Sequence, residues 1–337
     1  MKAHLAEAAA KLTGARVVVL GDLVLDEFLY GEIARVSREA PVLIIEQRRM
    51  DAMPGGGGNA ISNVLALGGI PLPVGVVGND EAGRRLVASL QGAGVDTSGV
   101  TVLQGYSTPI KTRVLAGLPH SRPQQVIRID RGGDARVDLQ SAEAAAERAR
   151  AQLPAAAGLL LSDYGFDAIT PESAAPLIAA SRAARVPVTC DSRRRARAYK
   201  GVTAITPNLE ETEQMLGGRL DDAGVSLEKR GRDLLHMLDC RAVLITRGSH
   251  GMTLVEDGVK PFDIPVHGGD QVADVTGAGD TVIAAFTLAL ASGATFRLAA
   301  LLSNIAAGIV VMKRGTAVAS GAELRAAIAA LDETAPA

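Results

Sequence analysis

Asp274-Val275-Thr276-Gly277-Ala278-Gly279-Asp280-Thr281, followed by an apolar run over 282–291, organises this chain of 337 residues. Small residues at 276–279 let the backbone turn tightly and aim several N–H groups one way. Beyond them Val282, Ala285, Phe286, Ala289 and Leu290 recur at spacings of three and four, which predicts a helix. A glycine turn feeding a helix N-terminus is an anion site, because unpaired N–H groups and the positive dipole end face the same point. Asp280 stands at that entrance. It is either a helix cap or a carboxylate placed to take a proton from a hydroxyl beside a bound phosphate. No Gly-Lys-Ser/Thr follows, so the stretch is not a P-loop. No Gly-x-Gly-x-x-Gly follows a strand here, so it is not a dinucleotide fingerprint.

Upstream the chain alternates helix and strand. Helices are predicted over 141–152, 171–184, 210–216 and 227–238, and strands over 158–162, 186–190, 203–206 and 242–246. With the buried strand Arg16-Val-Val-Val-Leu20 this reads as an α/β fold with a mostly parallel sheet between helical layers. A further apolar helix is predicted over 296–312, with Asn304 inside it. Trp is absent and Phe and Tyr number five and four, so Ala, Val, Leu and Ile must build the core. Polar groups gather where the strands end: Gly21-Asp22, Ser162-Asp163, Asp191, Asn208 with Glu211, and Thr246-Arg247-Gly248. In a parallel sheet those ends share one rim, where ligands bind. Asp22 alone reads equally as a turn residue.

Residues 31–50 lack helical period and read as two short strands leaving the main sheet. A second extended segment spans about 101–130. The two segments form either ordinary edge strands or a small β-sheet lid. A sheet of that size needs its apolar face covered, so a homodimer through the lid is expected. Between them, Pro54-Gly-Gly-Gly-Gly-Asn59 opens a predicted helix over 60–67. Four glycines need a steric reason, such as positive φ or close approach of a ligand.

Net charge is −2, which implies no attraction to polyanions and makes nucleic acid an unexpected partner. Cys190 and Cys240 supply neither a disulfide framework nor a metal set and read as buried thiols of a reducing compartment. The N-terminal stretch lacks the apolar core of a signal peptide, and no run of about 18 apolar residues occurs. No membrane association and a cytoplasmic location are therefore expected. The basic run Ser192-Arg-Arg-Arg-Ala-Arg197 reads mostly as a solvated face, with one arginine near Asp191 able to reach a phosphate.

The 274–280 stretch resembles the second signature of the ribokinase-like (PfkB) carbohydrate kinases, Asp-Thr-x-Gly-Ala-Gly-Asp. The glycines and Asn59 resemble the first signature, Thr206-Pro-Asn208-Leu-Glu-Glu211 the Asn-x-x-Glu motif, and Thr246-Arg-Gly248-Ser-His-Gly251 the Thr-x-Gly-x-x-Gly motif. The resemblance spans about residues 14–325. It implies a single kinase domain over 1–337, a ribokinase-like three-layer αβα sandwich with a mostly parallel central sheet and a small β-sheet lid. It also implies ATP, Mg²⁺ and K⁺. By that resemblance Asp280 is the catalytic base, with Gly277, Ala278 and Gly279 as the anion hole and Arg193 beside the transferring phosphate. Asp22, Gly55, Gly56, Asn59 and Asp163 hold the sugar, with Lys111 and Arg113 on its existing phosphate. Asn208, Thr246, Gly248, Gly251, Thr276 and Asn304 face the nucleotide, and Glu211 and Asp274 the metal. The cation K⁺ falls to the loop after 312.

Within the family, four stretches are similar to the heptose 7-phosphate kinases: Gly21-Asp-Leu-Val-Leu-Asp26, Arg35-Val-Ser-Arg-Glu-Ala-Pro-Val42, Lys111-Thr-Arg-Val-Leu115 with Gln125-Val-Ile-Arg-Ile-Asp130, and Leu161-Ser-Asp-Tyr164. This implies phosphorylation of the anomeric hydroxyl of a sugar phosphate, most simply a heptose 7-phosphate. Arg38 stands where that group has Pro, Asp191-Ser-Arg193 where it has Asp-Pro-Lys, and Gly57 and Gly58 where the wider family has Ala. The segment 116–124 is longer than usual. Rival readings are another PfkB sugar or sugar-phosphate kinase and a non-catalytic sugar- or nucleotide-sensing protein on the same fold.

Overall fold

The computed structural model describes residues 1–118, 123–132, 136–217, 224–268 and 273–331. Part of the long segment 116–124 therefore lies outside the described residues. The elements in chain order are α1 (Lys2–Lys11), β1 (Arg16–Gly21), β2 (Leu23–Val36), β3 (Leu43–Gly56), α2 (Gly57–Ala66), β4 (Ile70–Gly78), α3 (Glu81–Gly92), β5 (Val100–Leu103), β6 (Ile110–Gly117) and β7 (Gln124–Arg131). Then come α4 (Leu139–Gln152), β8 (Gly158–Asp163), α5 (Pro171–Ala183), β9 (Val188–Ser192), β10 (Ala204–Ile205), α6 (Leu209–Leu216), α7 (Gly224–Leu238), β11 (Ala242–Thr246), β12 (Met252–Glu256), β13 (Phe262–Ile264), α8 (Ala278–Ala291), α9 (Phe296–Val311) and α10 (Gly321–Ala329).

Among the described residues nine strands make the central sheet, in the order β13-β12-β11-β10-β9-β8-β1-β4-β5. It is parallel except where β12 joins β11 and β13 antiparallel. Strand β1 shows why the sheet is a middle layer. Val17 and Val19 pack into a core shared with α1, α2, α8, α9 and α10, while Val18 and Leu20 pack into a second core shared with α4, α5 and α7. Successive strand side chains point to opposite faces, and here both faces are buried, so the strand reads as a continuous apolar run. Among the described residues no helix is long and apolar enough to cross a membrane.

The second sheet runs β3-β2-β6-β7. Its strands are longer than the two short ones predicted over 31–50. Strands β2 and β3 pair from Leu23↔Gly56 out to Val36↔Leu43, with register shifts at Tyr30/Gly31 and Ile33/Arg35. The period-2 signal was weak because both strands cross from the packed body onto the lid, so their burial changes along their length. The glycine stretch is likewise split. Gly55 and Gly56 finish β3 and Gly57 starts α2, three residues before the predicted onset. A Cβ at Gly55 would lie 2.5 Å from Asp26 Oδ2, and Gly56 has φ +56°, so the first glycine is required by the close Asp26 carboxylate and the second by its backbone conformation.

Buried polar bonds hold the lid to the body. Glu27 on β2 accepts from Thr112 Oγ1 at 2.7 Å, from Arg131 at 2.5 Å and from Arg85 on α3 at 3.2 Å. Asp80, which caps α3, accepts from the Thr108 N–H and hydroxyl just before β6. On the outer lid, β7 is exposed throughout, and Val36, Leu43, Val126, Ile127 and Ile129 leave apolar surface in solvent.

Candidate active site

Helix α8 begins at the glycine turn. Gly277 is its N-cap in the left-handed region, φ +77°, and Asp280 sits in its first turn, buried. The predicted helix over 282–291 is thus preceded by four more helical residues, which places Asp280 against the N–H-rich end. Asp280 Oδ2 accepts from Asn59 Nδ2 at 2.9 Å, and Oδ1 accepts from the Tyr164 hydroxyl at 2.5 Å. Asn63 donates to Asn59 Oδ1 at 3.1 Å and so sets the direction of that amide. The Thr281 hydroxyl donates to Asn63 Oδ1, closing a chain between α2 and α8. Burial raises the Asp280 carboxyl above the ordinary range, while the bonds from Tyr164 and Asn59 pull it back down.

Asp280 opens into a cavity of about 570 Å³ between the strand ends and the lid. The lid wall carries Lys111, Arg113, Gln125 and Arg128, and Asp26 and Gly56 lie beneath them. Tyr164, Asp191 and Arg193 form the middle, while Asn208, Glu211, Thr246, Thr276, Gly277 and Gly279 line the other end. Arg113 is tied to Asp26 at 2.8 Å. Lys111 Nζ lies 4.5 Å from the Tyr164 ring centroid, and burial with nearby Arg193 lowers it to about 8. The Asp191 carboxyl is pushed up to about 8 by burial, Glu211 and Asp280. Burial also raises Glu211.

Five residues expected on ligands have their side chains committed elsewhere. Asp22 is 1% exposed and accepts from three backbone N–H groups, Tyr164 at 2.7 Å, Phe166 at 3.0 Å and Ala168 at 2.9 Å. It does not line the cavity; it fixes the loop that carries Tyr164. Asp163 is buried under Arg195, Ser192 and Tyr199. Asp274 spans the Thr276 N–H at 2.9 Å and the Gly315 N–H at 3.0 Å, stitching the glycine turn to the loop after α9. Asn304 donates to Pro265 O at 2.9 Å. Asn59, only 1% exposed, points at Asp280 and not into the cavity. Gly248 and Gly251 lie outside the cavity wall as well, and a Cβ at Gly251 would collide with the Ile264 carbonyl of β13. For Asp22 and Asp274 the cause is that the carboxylate meets loop N–H groups before it meets solvent.

Asn208 caps α6 in a reciprocal box with Glu211 while both still line the cavity. Asp191 and Glu211 are oxygen donors whose charge burial disfavours, a set that fits a hard cation holding several waters. Asp274 does not fit as a direct ligand, since it does not line the cavity and its oxygens face the Thr276 and Gly315 N–H groups. Among the described residues, no group of three or more His, Cys, Asp or Glu is placed to hold a metal.

Tyr164 and Asp26 were not singled out as site residues by sequence reasoning. Asp26 had a signal, lying four residues past Asp22 on a strand that turns toward the lid. Tyr164 had a weaker one, directly following the strand-end pair Ser162-Asp163. Replacing Asp22 with Ala would leave three buried N–H groups unpaired and is expected to cost roughly 3 kcal/mol. A urea midpoint measurement would read this, and activity should fall with it because Tyr164 loses its anchor.

Comparisons with known proteins bear on the family and the fold. The chain is 39% identical over 315 residues to the bifunctional protein HldE of Desulfatibacillum aliphaticivorans, covering 93% of this chain and 63% of that one. It is 42% identical over 315 residues to bifunctional protein HldE of Pseudomonas aeruginosa, covering 93% and 64%. The chain thus spans under two thirds of the length of these relatives. Among solved structures, the Arabidopsis thaliana ribokinase complexed with ribose and ATP superimposes with a TM-score of 0.71 at 20% identity, covering 94% of this chain and 99% of that one. Phosphofructokinase-2 from Escherichia coli in complex with substrates and products gives 0.73 at 18%, covering 94% and 99%. These two establish the ribokinase-like fold. The family model for pfkB family carbohydrate kinases matches residues 15–322, and the chain belongs to that family.

Proposed function

We propose that the protein transfers the γ-phosphate of ATP to the anomeric hydroxyl of a sugar phosphate, most simply a heptose 7-phosphate giving the 1,7-bisphosphate. The observation that carries the reading is the placement of Asp280. It is a buried carboxylate in the first turn of α8, facing a cavity with the glycine turn on one side and lid cations on the other. In this reading Asp280 takes the hydroxyl proton as the sugar oxygen attacks. The N–H groups of Gly277 and Gly279 and the α8 dipole stabilise charge on the transferring group, with Arg193 beside them, whereas the Ala278 N–H is spent on the Val275 carbonyl at 3.2 Å. Lys111 and Arg128 receive the sugar's existing phosphate. Arg113, paired with Asp26 at 2.8 Å, joins them by exchanging that carboxylate for the phosphate. The triphosphate runs along Thr276, Asn208 and Thr246. Asp191 and Glu211 would hold Mg²⁺ through its waters, which would supply charge neutralisation on the phosphates.

The heptose assignment rests on the Arg35–Val42 and Lys111–Leu115 stretches and agrees with the HldE relatives. The exposed apolar face of the lid supports a homodimer there. The test is ATP turnover with Mg²⁺, with and without K⁺, over heptose 7-phosphate, ribose, fructose, fructose 1-phosphate and fructose 6-phosphate. Preference for the heptose phosphate by tenfold or more in kcat/KM is expected. Turnover confined to another sugar keeps the kinase and discards the heptose. ATP binding without turnover on any acceptor favours the sensing protein.

A further inference from the structure

Two cations lie over the Tyr164 ring: Lys111 from lid strand β6, and the Arg193 guanidinium 4.4 Å from the centroid, on the loop leaving β9. The backbone N–H of Tyr164 is bonded to buried Asp22 at 2.7 Å, so the residue is fixed at its base. Its hydroxyl donates to Asp280 Oδ1, and Asn59 donates to the other oxygen. We infer that Tyr164 is a positioning residue that keeps Asp280 ionised and turned toward the acceptor, and that links the base to the position of the lid. The inference rests on the reading of Asp280 as the base.

The physical grounds are three. A hydroxyl donating to a carboxylate favours its charged form, which burial otherwise opposes. Cations at a ring face are held by its quadrupole, so Lys111 ties the lid to the ring that holds the base. The two donors fix the rotation of the carboxylate and leave each oxygen a free lone pair. Other charges facing Asp280 are Arg193 and Lys111, which favour ionisation, and Asp26 and Asp191, which oppose it. Tyr164, like Asn59, is a neutral donor, so its removal changes the Asp280 titration without altering net charge.

The test is the pH profile of kcat/KM in Tyr164→Phe, which keeps the ring under both cations and removes only the hydroxyl. Wild type and variant are compared with the same MgATP and the same best acceptor, so the nucleotide's own titration is common to both. Losing a donor raises the Asp280 pKa, so the acid limb should move up by about one unit. Activity on the alkaline plateau should stay within about tenfold of wild type. Site-specific 3-fluorotyrosine at 164, a stronger donor, should move the limb down; it also serves if Tyr164→Phe fails to fold. An acid limb unmoved in the folded variants overturns the inference. Asp280→Asn separates the two readings. If that protein keeps its turnover, the base assignment falls. If it is inactive while the Tyr164 variants titrate as wild type, only the positioning role falls.

Discussion

Asp280→Asn is expected to lower kcat by roughly 10²–10⁴-fold, the range for loss of a positioned general base, with little change in KM for the nucleotide. The substitution is nearly isosteric. Asn keeps an oxygen able to accept from Tyr164 or Asn59, so the α2–α8 chain of bonds survives in part. Stability should hold or rise, and the sign follows from the titration. Burial raises the folded-state carboxyl above its unfolded value. The folded chain therefore binds this proton more tightly, and ionisation at neutral pH disfavours the fold. That penalty is present above the folded pKa and is relieved as pH falls through it. The uncharged Asn removes it at every pH. Steady-state kinetics with a thermal melt at pH 8 and pH 6 reads both effects. A variant with near wild-type kcat would remove the base, and a large loss of melting temperature would make Asp280 a structural residue.

The glycine turn, the helix behind it and the parallel βα repeat were readable in the sequence because each depends on local patterns: small residues, three-and-four spacing, and apolar runs that end in acids. The sharing of work among the polar residues was not readable. Asp22, Asp163 and Asp274 occupy the strand-end and loop positions where a ligand contact is expected. What decides their role is which donors the fold brings within about 3 Å, and those are far off in sequence: the Tyr164 N–H lies 142 positions from Asp22, the Arg195 guanidinium 32 from Asp163 and the Gly315 N–H 41 from Asp274. Asn59 was expected on the sugar and lies on the base, because α2 begins at Gly57 and the added turn rotates its amide toward α8. The lid was legible as a second sheet from its β-branched residues near Pro41. Its long strands were not, since β2 and β3 change from buried to exposed along their length and break any single alternation.

Gly277→Ala is expected to reduce kcat by about 10²-fold or more, the scale of losing a donor at a transferring charge. It should also cost about 1–2 kcal/mol of stability from forcing a side chain into the left-handed region. The space decides the larger effect. A Cβ at Gly277 would collide with Asn59 Nδ2 and lie 3.0 Å from Thr316 Cγ2. Asn59 cannot simply swing away. Its oxygen is held by Asn63, its residue is buried in the first turn of α2, and its nitrogen is the donor that fixes Asp280 Oδ2. One methyl group therefore disturbs both the turn whose N–H groups face the cavity and the amide that orients the base. Gly279 provides the contrast. It lines the same cavity, but a Cβ there meets nothing within 4 Å and its φ is ordinary. Gly279→Ala should leave folding intact and affect activity only through bulk projecting toward the phosphate. Kinetics and urea midpoints on the two variants separate the causes. If Gly277→Ala retains wild-type kcat, Asn59 has room to move and the tight coupling of turn, amide and base is lost. If both variants lose activity equally with unchanged stability, the cavity is limited by space beside the phosphate and not by the Asn59 contact.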